Sequence, residues 1–105
     1  MVVGADSSNF DDCVRSFPVC VVFMHAAWCG SCRSAEPMVD DLFNGAYADR
    51  VRAVSVDIGE SPEIGERYHV ATLPYWLAFR DGELVDERHG AMMRRDVERM
   101  VNAIL

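Results

Sequence analysis

Val19-Cys20-Val21-Val22-Phe23-Met24 is an apolar run without alternation, closed by His25. Such a run reads as a strand covered on both faces, and that needs helices on the two sides of a largely parallel sheet. The period then changes. Ala35, Met38, Val39, Leu42 and Phe43 recur at helical spacing until Asn44-Gly45 ends the stretch. Trp28-Cys29-Gly30-Ser31-Cys32 stands at the seam between strand and helix. A helix start offers unpaired N–H groups and a positive dipole end, both of which favour thiolate over thiol. Positions i and i+3 of a helix share a face, so the second thiol lies within bonding reach of the first. This is the minimum apparatus for disulfide exchange.

The rest of the chain extends the alternation. Val2-Val3 suits a short edge strand, and Ser7 or Ser8 offers an N-cap for a helix through Phe10, Cys13 and Val14 that ends before Pro18. Val51 to Val56 reads as a third strand closed by Asp57. Ser61-Pro62 reads as the N-cap and first residue of a brief helix to about Tyr68. Tyr75 to Phe79, the turn Asp81-Gly82 and Glu83 to Arg88 form a hairpin. Val97, Met100, Val101 and Ile104 mark a last helix, whose start lacks a signal because Arg94 and Arg95 oppose the dipole. The expected architecture is α/β: one domain over residues 1–105 with a central mixed sheet and helices on both faces.

With 105 residues, half of them apolar, the chain can form a core without a metal or disulfide staple. A net charge of −7 argues against nucleic acid and anionic membrane surfaces as partners. All ten basic residues are Arg, so no Lys can serve as a base or cation beside the thiols. The N-terminus does not read as a signal peptide, no apolar run is long enough to span a bilayer, and the expected location is the cytoplasm. In that setting four Cys read as redox or metal chemistry before staples. Four Cys and three His could in principle supply zinc ligands, but no second Cys-x-x-Cys exists and Cys13 and Cys20 fall in an expected helix and strand, so no metal is expected. Cys13 and Cys20 are expected as inert core residues, with a disulfide between them or a regulatory thiol as the alternative.

Trp28-Cys29-Gly30-Ser31-Cys32-Arg33 resembles the active-site motif of the thioredoxin family, usually written WCGPC. Pro37 stands where the family has a proline in the following helix, and Thr72-Leu73-Pro74 is similar to the segment ending in its cis-proline. Asp81-Gly82 resembles its hairpin turn and Gly90-Ala91 its last substrate-contacting loop. The resemblance covers nearly the whole chain and implies the thioredoxin fold. It implies that Cys29 attacks a client disulfide, that Cys32 resolves the mixed disulfide, and that Trp28, Gly30, Ser31, Leu73, Pro74, Gly90 and Ala91 form the docking face. The implied activity is reduction of protein disulfides by a monomer with no bound cofactor beyond the Cys29–Cys32 disulfide. A flavin- and NADPH-dependent reductase would recycle it. The alternatives are a dedicated oxidant or isomerase, a reductase for one client, and a non-catalytic binding module.

Three positions depart from the family pattern. Phe23 stands where a buried Asp is usual, and Ala53 where a Lys near it is usual. Losing both together leaves no uncompensated buried charge, but the site should be drier and Cys32 harder to deprotonate. His25 is the one nearby titratable group that could tune the Cys29 thiolate or carry a proton, and the favoured alternative is an exposed His at a strand end. Ser31 replaces a Pro, which frees a backbone N–H expected to donate to the Cys29 sulfur. A stabilised thiolate stabilises the reduced form, so the potential should lie above the roughly −270 mV of thioredoxin.

Overall fold

A computed structural model describes all 105 residues. Five strands and four helices alternate: β1 Val2–Ala5, α1 Phe10–Arg15, β2 Val19–His25, α2 Gly30–Asn44, β3 Arg52–Asp57, α3 Pro62–Arg67, β4 Tyr75–Arg80, β5 Glu83–His89 and α4 Arg94–Asn102. They form one mixed sheet in the order β1-β3-β2-β4-β5. β1 and β2 flank β3 in parallel, and β4 and β5 add the antiparallel edge.

β2 lies at the centre, buried from Val19 to Met24. Its alternate side chains go to opposite faces, as a period of two demands. Val21 and Phe23 pack with Cys32, Ala35, Val39 and Leu42 of α2 and Val97 of α4. Cys20, Val22 and Met24 pack with Phe10 and Val14 of α1 and Ile64 of α3. The unbroken apolar run therefore reflects helices on both sides. β5, at the edge, is exposed along most of its length. The Asp81-Gly82 turn has φ of 52° and 82°, the left-handed pair that a two-residue hairpin of type I′ requires.

Several local expectations are corrected. Neither Ser7 nor Ser8 caps α1; Asn9 is its N-cap. The segment before it is held by the Asp6 carboxylate, which accepts from the Ser8 and Asn9 amides at 2.9 and 3.2 Å. Ser61 and Pro62 do begin α3, but the Ser61 hydroxyl makes no capping bond. α4 does carry a start signal: Asp96 accepts from the Met93 amide at 3.1 Å. A carboxylate in the first turn also offsets the adverse charge of Arg94 and Arg95.

Candidate active site

The end of β2 and the start of α2 deliver both thiols. Cys29 is the N-cap of α2, in extended conformation, and Cys32 is its third helical residue. An N-cap side chain accepts from the second or third helical amide, and here the Cys32 N–H donates to Cys29 Sγ at 3.2 Å. The expected Ser31 amide is therefore not the donor. Ser31 acts through its hydroxyl, whose Oγ lies 3.4 Å from Cys29 Sγ. The two sulfurs are bonded, with a Cα–Cα separation of 5.3 Å. Cys29 keeps 8% of its surface open and Cys32 1%, so an incoming sulfur meets Cys29 first.

Behind Cys32 the packing is apolar. Phe23 and Ala53 are 2% and 1% exposed, and the Phe23 ring lies 5.0 Å from that of Trp76. His25 stacks on Phe23 with ring centroids 5.5 Å apart, and its Nε2 lies 2.8 Å from Ser55 Oγ. It borders a cavity of about 240 Å³ also lined by Phe23, Glu36, Val39 and Asp40. Ser55, Glu36 and Asp40 carried no motif in the sequence. The parallel register that pairs Phe23 with Ser55 is what brings the first of them to His25.

The Leu73–Pro74 peptide is cis. Pro74 is buried, so it shapes the loop while the half-buried Leu73 presents the surface. The Gly90 amide donates to the Pro74 carbonyl at 2.8 Å, and Trp76 Nε1 donates to the Gly90 carbonyl at 2.9 Å. Gly90 has φ of 83°, a conformation that favours glycine, and it brings the exposed Ala91 beside this loop. Gly30 and Ser31 are exposed on the first turn of α2.

Trp28 is 71% exposed beside Cys29. It lines an apolar groove of about 370 Å³ with Cys29, Ile58, Val70, Ala71 and Leu73. Ile58, Val70 and Ala71 were missed in the sequence because they come from the loops flanking α3, far from the Cys pair in sequence. Cys13 and Cys20 are free thiols outside this site. Cys20 is fully buried, and burial pushes its pKa up, against a smaller opposing effect of Arg52. No group of three or more His, Cys, Asp or Glu side chains is placed to hold a metal.

The sequence model of the Thioredoxin family matches residues 1–103. "Thioredoxin" from Staphylococcus saprophyticus is 30% identical over 95% of this chain and 94% of its own length. "Thioredoxin-2" from Pyricularia oryzae is 35% identical over 82% of this chain, which spans only 49% of that relative's length. Among solved structures, mitochondrial thioredoxin 3 from Saccharomyces cerevisiae in its oxidised form superposes with a TM-score of 0.86 at 27% identity. That match covers 97% of this chain and 94% of the other.

Proposed function

The chain belongs to the thioredoxin family of thiol–disulfide oxidoreductases, and we propose that it reduces client-protein disulfides through a Cys29/Cys32 dithiol–disulfide cycle. The observation that carries this reading is the Cys29 sulfur at the α2 N-cap, bonded to Cys32 and accepting the Cys32 amide. In the reduced protein the same amide and the helix dipole stabilise a Cys29 thiolate. That thiolate attacks one sulfur of the client disulfide; the client S–S bond breaks and the other client sulfur leaves as thiolate. Cys32 then loses its proton and attacks Cys29 Sγ, and the second client sulfur departs. Two electrons pass to the client, its two sulfurs take up two protons, and Cys29–Cys32 is left oxidised.

The docking face proposed for the client comprises Trp28, Gly30, Ser31, Leu73, Gly90 and Ala91 around the groove at Cys29, with Pro74 holding the loop in shape. His25 is proposed to tune the Cys29 thiolate or carry a proton, on the grounds of its place beside Phe23 and its link to Ser55. Titration of the Cys29 thiolate in His25→Ala tests this, and an unchanged curve ends the idea. We place the protein in the cytoplasm and assign its re-reduction to an NADPH-dependent flavoprotein reductase. The free Cys13 and Cys20 thiols support a reducing compartment. A second reading, a dedicated oxidant, draws on the Ser31 hydroxyl at Cys29 Sγ, which favours the reduced form. Insulin reduction with dithiothreitol, then with NADPH and a thioredoxin reductase, tests the main reading. Turnover in both is expected; none in either sinks it.

A further inference from the structure

Trp28 separates two depressions. On one side is the apolar groove at Cys29. On the other is a depression of about 500 Å³ whose lining includes Ile58, Pro62, Glu66 and His69. Ile58 and Val70 line both, so the two are continuous around the indole. Gly59 lets the indole lie there: a Cβ on Gly59 would sit 3.0 Å from Trp28 Cζ3 and 3.1 Å from Asp57 Oδ1.

The charges around α3 are unevenly engaged. Arg67 pairs with Asp11 at 2.9 Å, and Glu63 accepts from the Ser7 hydroxyl at 2.5 Å. Glu66 makes no side-chain hydrogen bond or ion pair and is exposed at the second depression. An unpaired carboxylate beside an exposed indole and apolar walls has a definite complement. An arginine places its stem along the apolar wall, its guanidinium over the indole face, and two N–H groups on the carboxylate. A second copy of this chain is a poor occupant, because each copy carries a net charge of −7.

We propose that this depression is a client-selecting subsite, which takes an arginine near the client's disulfide while an apolar neighbour of the reacting sulfur lies in the groove at Cys29. The proposal rests on the thiol–disulfide reading above and names the class of client: disulfides flanked by an apolar and a cationic residue. Recognition at Glu66 adds rate through binding and leaves the chemistry at Cys29 as described.

The test uses the full chain, pre-reduced, with peptides whose single cysteine is in mixed disulfide with thionitrobenzoate. An apolar residue adjoins the cysteine, and Arg or Glu is placed at successive positions on either side. Second-order release rates are read at one fixed pH for every peptide and variant. At one placement Arg should react about fivefold to tenfold faster than Glu. Glu66→Gln should shrink that ratio at least about threefold, and Glu66→Arg should invert it. Glu83→Gln makes the same charge change at the far end of the hairpin and should leave the ratio in place. An equal drop in Glu66→Gln and Glu83→Gln would show a preference set by net charge alone and overturn the subsite. A ratio near one at every placement, or a preference for Glu, overturns it too. Failure of every peptide to react would count against the thiol–disulfide reading, which keeps the two failures apart.

Discussion

Restoring the carboxylate that the family usually has behind its second thiol should damage this protein. Phe23 is 2% exposed, and its ring packs 5.0 Å from Trp76 and 5.5 Å from His25. Phe23→Asp removes that ring, and truncating a buried Phe costs about 3–5 kcal/mol. It also buries a carboxyl group with no cation at Ala53, which adds about 1–3 kcal/mol for a polar group left unsatisfied. The sum, about 4–8 kcal/mol, is comparable to the whole stability of a small domain. The sign with pH follows from burial, which holds the folded-state pKa of the introduced carboxyl above its unfolded value near 3.9. Above that value the unfolded state releases the proton and the folded state keeps it, so the deficit grows as pH rises. The growth is about 1.4 kcal/mol per unit of pKa elevation. Urea unfolding at about pH 5 and pH 7, referenced to the native chain, measures both effects, with Phe23→Leu as the apolar control that should show no added pH slope. A loss below about 2 kcal/mol at neutral pH, or one equal at the two pH values, would refute the dry site behind Cys32.

Cys32→Ser leaves no resolving sulfur, so it should accumulate a mixed disulfide between Cys29 and client. Non-reducing gels should show that adduct, and Cys29→Ser should form none. Ser31→Ala removes the hydroxyl at 3.4 Å from Cys29 Sγ and should raise the Cys29 thiolate pKa by about half a unit to one unit. Thiolate absorbance reads it, and an unchanged or lowered pKa means the hydroxyl does not support the thiolate. The Tyr75 hydroxyl donates to Glu87 at 2.5 Å, and this bond to the carboxylate pushes its pKa up to about 12. A folded pKa above the unfolded value of about 10 gives stability that is present below pH 10 and lost as pH rises through 12. Tyr75→Phe should flatten stability across that window, as alkaline urea titrations can show.

The parts of the fold legible in the sequence were those fixed by local pattern. β2, the Cys29-x-x-Cys32 junction, α2 and the Asp81-Gly82 turn each follow from neighbouring residues. Capping was less legible, because several side chains can satisfy the same amide. Asn9, and neither Ser7 nor Ser8, stands at the start of α1 behind a segment held by Asp6, and Asp96 supplied a start for α4 that the two arginines masked. At the site, the geometry of an N-cap explains why the Cys32 amide, and not that of Ser31, meets the Cys29 sulfur. What stayed hidden was assembled by the fold. Ile58 and Val70 flank α3 and reach the Cys29 groove only because the chain crosses the end of the sheet. Ser55 reaches His25 only through strand register.

The reduction potential of the Cys29–Cys32 pair tests the central claim most directly. The protein is equilibrated with glutathione redox buffers and the fraction oxidised is read from alkylation or tryptophan fluorescence. One two-electron couple is expected, absent in Cys29→Ser and Cys32→Ser, with a potential above the roughly −270 mV typical of thioredoxin. A pair that never forms an intramolecular disulfide would contradict the dithiol cycle. A potential well below about −270 mV would contradict the thiolate stabilisation assigned to the Cys32 amide and the Ser31 hydroxyl.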